Sequence, residues 1–272
     1  MFNKMKLAAA LVMGLAAGLL TTSTAMAETL EAVKDRGKVV VGIQGDNPPY
    51  GFLNSQGQND GYDADVAKLF GEYLGVSVEF FIVTNPNRIA ALQTGKVDIL
   101  FSTLSMTAER AKALQYSKPY AEQPFTVLGA KSEAMTGIDD LKGKVVGVPK
   151  GSLMDIQLTK LATESEIRRF DDDSATVQAL LSGQVDAVGG SMFYAARLEQ
   201  QAPGKFENKF STSSLYIGAG TRSGEKEWNA AVNSFVDEVA ANGKLAALYE
   251  KWFSMELPDL NKSVEGVPFT VN

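Results

Sequence analysis

Cysteine and histidine are both absent from the 272 residues, and each absence removes a class of chemistry. Without cysteine there is no disulfide, no thiolate nucleophile and no cysteine-ligated zinc or iron–sulfur centre. Without histidine the commonest metal ligand and the commonest general base are missing. Basic residues are outnumbered 26 to 32, for a formal net charge of −6. That balance argues against non-specific nucleic-acid binding through a basic surface. Long apolar runs are also lacking: the stretch at 7–20 is the most extended, and a spanning helix needs about 20 apolar residues. What is present is ordinary for a folded protein, 45% hydrophobic and 21% charged. A sizeable core in one large or two small domains follows.

The first residues read as a processing signal. Lys4 and Lys6 precede the apolar stretch, and Ala25-Met26-Ala27 is a small-x-small site, the pattern of a secretory signal peptide cleaved after Ala27. The mature chain would be 28–272, with 24 basic against 32 acidic residues and a net charge of −8. No cysteine stands at the cleavage site, so lipid attachment there is impossible, and the periplasm is the expected location.

Downstream, strand-like and helix-like stretches alternate. Strands are expected at 38–43, 77–83, 97–101, 144–148 and 185–188. Helices are expected at 87–94, 151–162, 174–182, 225–242 and 244–252. A further helix runs to Leu74, with Asp63 as its N-cap and Gly75 as its stop. This alternation predicts an α/β fold of parallel sheets with helices on their faces. One repeat stands out: Ala-Leu-Gln-Thr-Gly-Lys-Val-Asp-Ile-Leu at 91–100 and Ala-Leu-Leu-Ser-Gly-Gln-Val-Asp-Ala-Val at 179–188 share five of ten positions. It reads either as convergence on a common helix–strand junction or as one copy in each of two α/β lobes. Ser102, Thr103 and Ser105 follow the first copy, and Gly189, Gly190 and Ser191 the second. Open α/β sheets bind ligands beyond such strand ends, although Ser, Thr and Gly also make ordinary turns.

Six segments together resemble the bacterial extracellular solute-binding proteins for polar amino acids (family 3) that serve ABC importers. They are Val-Gly-Ile-Gln-Gly-Asp-Asn-Pro-Pro-Tyr-Gly-Phe at 41–52, Gly-Tyr-Asp-Ala-Asp-Val-Ala at 61–67, and Gly95 through Arg110 with its Ser-Met-Thr-Ala-Glu-Arg. Tyr-Ser-Lys-Pro-Tyr at 116–120, Gly-Val-Pro-Lys-Gly-Ser at 147–152 and Tyr-Glu-Lys-Trp-Phe at 249–253 complete the set in family order. The resemblance implies a periplasmic-binding-protein-like fold: two α/β lobes joined by two crossing strands, with a ligand cleft between them and closure by hinge motion. The crossings would fall near 120–126 and 213–218. Lobe 1 would be discontinuous, 28–122 plus 215–272, and lobe 2 would be 123–214.

The resemblance also implies a set of ligand contacts. Arg110 would grip the α-carboxylate through its planar fork; flanked by Glu109 and Lys112, it reads on sequence alone as a surface arginine. Ser105 would add a hydroxyl, Ser102 a carbonyl and Thr103 a hydroxyl to the ammonium. From lobe 2, Gly151, Ser152 and Leu153 would offer amides at a helix N-terminus, with Ser152 also suited to cap it. Lys150 is either at the cleft mouth or solvated. Tyr50 and Phe52 line the cleft or belong to the core.

The departures from the family pattern concern specificity. Where many amino-acid binders carry an Asp for the ligand ammonium, Ser191 stands here. Asn47 and Asn85 occupy positions where basic-amino-acid binders have aromatics, and Gln44 one where a cation binder has an acid. These changes argue against Lys or Arg as ligand and favour a polar amino acid or related small carboxylate. The implied partner is an inner-membrane ABC permease, with a monomer as the family default and no cofactor required. A sensory receptor for a membrane kinase or chemoreceptor is an alternative. So is a cleft enzyme using Asp46 or Asp155, though neither shows a catalytic partner. Gly218 to Gly224 is glycine-rich without nucleotide-loop spacing and reads as a turn.

Overall fold

The computed structural model describes residues 29–271, and the signal-peptide reading therefore lies outside the described residues. The chain opens with α1 (Thr29–Asp35), β1 (Lys38–Gln44), a small three-stranded sheet of β2 (Asp46–Asn47), β3 (Gly51–Leu53) and β4 (Asn59–Asp60), and α2 (Tyr62–Leu74). It continues through β5 (Ser77–Val83), α3 (Arg88–Gln93), β6 (Ile99–Leu100), the short α4 (Ala108–Ala111) and β7 (Gln115–Ala130). After a 3-10 turn at Ile138–Leu141 come β8 (Val145–Pro149), α5 (Leu153–Leu161), β9 (Glu166–Phe170), α6 (Asp173–Leu181), β10 (Ala187–Ser191) and α7 (Tyr194–Gln201). The last elements are β11 (Phe206–Thr221), α8 (Lys226–Ala241) and α9 (Lys244–Phe253).

One eight-stranded sheet threads the molecule in the order β5-β1-β6-β11-β7-β10-β8-β9. The long strands β7 and β11 pair antiparallel at its centre. On one side β6, β1 and β5 run parallel to one another, and on the other β10, β8 and β9 do. Each parallel group carries its own core. Trp228, Phe70, Tyr62 and Tyr120 pack in the first lobe, and Met154, Leu158, Val146 and Val148 in the second. The fold is thus the two-lobed α/β arrangement, with β7 and β11 as the elements common to both lobes.

The repeat has a physical basis. Asp98 and Asp186 occupy equivalent places in the two copies, and each accepts the amide of a neighbouring strand residue, Val40 and Val145 respectively, at 2.7 Å. Their own amides return to the carbonyls of the same two residues at 2.8 Å. Gly95 and Gly183 both end their helices at φ +72°, the left-handed stop that glycine adopts without strain.

Three expectations need correction. Asp63 does not cap α2; Gly61 precedes the helix, and Asp63 is buried in its first turn. The strand expected at 97–101 is only Ile99–Leu100. Gly218 and Gly220 lie inside β11 rather than in a turn after it. Register shifts flank both glycines, and such irregularities bend and twist a strand. Met106 and Leu104 also press on them closely enough to leave little room for a Cβ.

Candidate functional site

The strand ends of the two lobes face one another across a narrow cavity. From the sequence-predicted set it brings together Gln44, Asn47, Asn85, Thr103, Ser105, Ser152, Leu153 and Ser191. Ser102, Gly151 and Arg110 stand behind this lining rather than in it. Tyr50 is core, with its hydroxyl donating to the Glu122 carbonyl at 3.1 Å, and Phe52 packs edge-on against Trp252. Lys150 is exposed.

Several expected contacts are already engaged within the protein. Arg110 donates to the Ser105 carbonyl at 3.1 Å and, across the cleft, to the Gly151 carbonyl at 3.2 Å. The Gly151 amide donates to Asp155 at 2.9 Å and the Ser152 amide to the Pro149 carbonyl at 3.1 Å. These two amides serve the turn into α5. Ser152 caps that helix, accepting from the Asp155 amide at 3.1 Å. The Thr103 hydroxyl points at Asp63, not at the cavity, and the Ser102 carbonyl accepts from Arg88 at 2.7 Å. The Ser191 hydroxyl accepts from the Phe193 amide at 3.3 Å.

Two charged residues in the lining were missed by sequence reasoning. Arg88, at the start of α3, is buried and donates through Nη1 to the Ser102 and Thr103 carbonyls at 2.7 and 3.4 Å. Its Nε is buried with no hydrogen-bond partner, as are Asn47 Oδ1 and Ser102 Oγ. Burial, with the Arg110 charge beside it, lowers the Arg88 pKa to about 9, so it stays cationic at neutral pH. Its neighbours Asn87 and Thr94 bound the helix, but nothing local marks the arginine as facing inward.

Asp173 places an acid in the cavity lining. It enters from the first turn of α6, and its Oδ2 accepts from Gln44 at 3.2 Å and Asn85 at 3.1 Å, both across the cleft. Its Oδ1 accepts from the Tyr194 hydroxyl. The run Asp171-Asp172-Asp173 was the signal available. Asp172 caps α6, accepting from the Ala175 amide at 2.7 Å, which frees Asp173 for the cavity. Burial first, then the Asp46 charge, pushes the Asp173 carboxyl up to about 7.

The two acids weighed for catalysis are spent on structure. Asp46 accepts from the Ser174 amide of the opposite lobe at 3.0 Å, and its carbonyl accepts from Arg197 at 3.2 Å. Asp155 pairs with Arg169 at 2.9 Å.

A pH dependence of stability follows from two buried acids. Asp63 is raised to about 6 by burial, and Asp173 to about 7, from an ordinary value of 3.8. Between about 7 and about 4 the fold therefore holds protons that the unfolded chain has released, so acidification favours the fold over that window. The ligand-free melting temperature is expected to rise by several degrees from pH 8 to pH 5. A flat or falling profile in calorimetry would show that these carboxyls are not desolvated as described.

Fold and cavity together define a two-lobed ligand-binding protein with a charged interlobe site. The chain belongs to the bacterial extracellular solute-binding proteins, family 3, whose model matches residues 39–255. The L-cystine-binding protein of Escherichia coli (strain K12) is 29% identical over 250 residues, 91% of this chain and 94% of that protein. Among solved structures, the L-cysteine solute receptor of Neisseria gonorrhoeae is 28% identical with a TM-score of 0.78, covering 82% of this chain and 93% of that one. The ancestral amino acid-binding protein AncCDT-1, a precursor of cyclohexadienyl dehydratase, is 31% identical with a TM-score of 0.77, covering 83% and 99%. No helix among the described residues is long and apolar enough to cross a membrane.

Proposed function

We propose that this protein is a periplasmic receptor that binds a polar, zwitterionic amino acid with a neutral side chain in the interlobe cavity and delivers it to an inner-membrane ABC permease. The observation that carries the ligand chemistry is the pairing of Arg88 and Asp173 within one cavity. One wall holds a cation with an unmet buried donor, and the other holds an acid gathered by two amides. A zwitterion satisfies both. Its carboxylate would lie toward Arg88, Ser105 and Arg110, and its ammonium toward Asp173. Gln44, Asn47, Asn85 and Gln123 favour a polar neutral side chain, while Phe125 and Met154 supply an apolar wall. The lobes would divide at 28–122 with 215–272, and at 123–214. Support comes from β7 and β11, which pair side by side from one lobe into the other. The relatives are named as binding proteins, which supports a non-enzymatic role; export with cleavage after Ala27 and a monomeric state belong to the same reading.

A thermal-shift screen tests this against the common amino acids and their amine-lacking carboxylate analogues, since a ligand of the folded state raises the melting temperature by mass action. The expected result is a clear shift for one or a few neutral polar amino acids and none for the analogues. A shift confined to amine-lacking carboxylates, or none at all, overturns the proposed ligand class.

A further inference from the structure

Thr103 has φ +53°, one of two non-glycine residues with positive φ among the described residues. A β-branched residue rarely adopts this region, and strain of that kind persists only where surrounding structure enforces it. The enforcing group is visible. Asp63 is fully buried and accepts from the Thr103 hydroxyl at 2.9 Å through one oxygen and from the Tyr120 hydroxyl at 2.8 Å through the other. The backbone turned by Thr103 is the one whose carbonyls, at Ser102 and Thr103, hold Arg88 Nη1. Tyr120 lies on β7, the strand shared by both lobes, and its own carbonyl accepts from Tyr62 at 2.6 Å. A buried carboxylate is a costly way to tie down a loop. Burial raises the carboxyl to about 6, against the hydrogen bonds from Tyr120 and Thr103 that pull it down.

We propose that Asp63 is a positioning residue for the ligand cleft. It holds Thr103 in the left-handed conformation, so that the Ser102 and Thr103 carbonyls fix the Arg88 guanidinium in the cavity wall, and it ties this loop to the interlobe strand through Tyr120. The proposal rests on the reading of Arg88 as a ligand contact, but its structural half stands apart from that reading.

The test uses Asp63→Ala, Thr103→Val, Thr103→Gly and the double variant Asp63→Ala/Thr103→Gly in the full mature chain. Glycine adopts positive φ without a tether, so a positioning role predicts rescue that a purely stabilising role does not. Crystal structures of the ligand-free variants are expected to show residue 103 leaving the left-handed region in Asp63→Ala and in Thr103→Val, with Arg88 losing the Ser102 carbonyl. Both features should be retained in Thr103→Gly and restored in the double variant. With L-glutamine as the calorimetric probe, the first two variants are expected to bind at least about tenfold more weakly. The glycine variant should bind more tightly than Thr103→Val, and the double variant should recover most of the loss seen in Asp63→Ala. If Asp63→Ala leaves residue 103 and Arg88 in place, or the double variant recovers neither geometry nor affinity, the proposal is overturned. Should Asp63→Ala fail to fold, Thr103→Val and Thr103→Gly carry the same comparison. Absence of L-glutamine binding by the wild type would count against the ligand reading alone, and the crystallographic comparison would still decide the role of Asp63.

Discussion

Replacing Asp173 with Asn is expected to lower affinity for the amino-acid ligand by about 100- to 1,000-fold, because removing one partner of a buried charge pair costs about 3–5 kcal/mol. Asn keeps the size and most of the hydrogen bonding, so Gln44, Asn85 and Tyr194 can still meet it and the cavity should keep its shape. The ligand-free melting temperature at pH 8 is accordingly expected not to fall, and its rise on acidification should shrink, since a buried charge has been taken away. Wild-type affinity should weaken as pH drops below about 7, where Asp173 takes up a proton and can no longer pair with an ammonium. Binding and stability thus move in opposite directions with pH, a combination that a structural acid does not produce. Calorimetric titration of wild type and variant from pH 5.5 to pH 8 checks it. A variant that binds within threefold of wild type would remove Asp173 from the site.

Arg88→Met should also cost about 100-fold or more in affinity, since a charge-assisted hydrogen bond is worth about 1.5–3 kcal/mol and a guanidinium offers two in parallel. Arg88→Lys keeps the charge but not the fork, and an intermediate loss is expected. Arg110→Met separates the two arginines. Arg110 spans the cleft from the Ser105 carbonyl to the Gly151 carbonyl, so its loss should weaken both ligand contact and the closed arrangement of the lobes. Binding constants for the three variants, with small-angle scattering for closure, decide the division. If Arg88→Met binds normally while Arg110→Met does not bind, the carboxylate belongs to Arg110 alone.

Much of the fold was legible because its signals are local. The helix at 87–94 and the strand at 77–83 are bounded by turn residues next to them in the chain, and Gly95 and Gly183 announce their helix stops. The repeat marked the two lobes because Asp98 and Asp186 perform one task twice. The long strands β7 and β11 were less visible. Pro119, Pro124, Gly218 and Gly220 interrupt any simple alternation, and the register shifts that accommodate them arise from pairing between segments far apart in sequence.

The site divides in the same way. Composition and motif order alone determined the absence of cysteine and histidine chemistry, the α/β alternation, the two-lobe resemblance and eight of the residues that line the cavity, because each depends on residues that are neighbours in the chain. Only the tertiary structure decided which charges face the cavity. Arg88 and Asp173 come from different lobes, and nothing near either in the sequence distinguishes it from Arg110 or Asp172. Burial is a property of what packs on the far side, and here that far side is the other lobe.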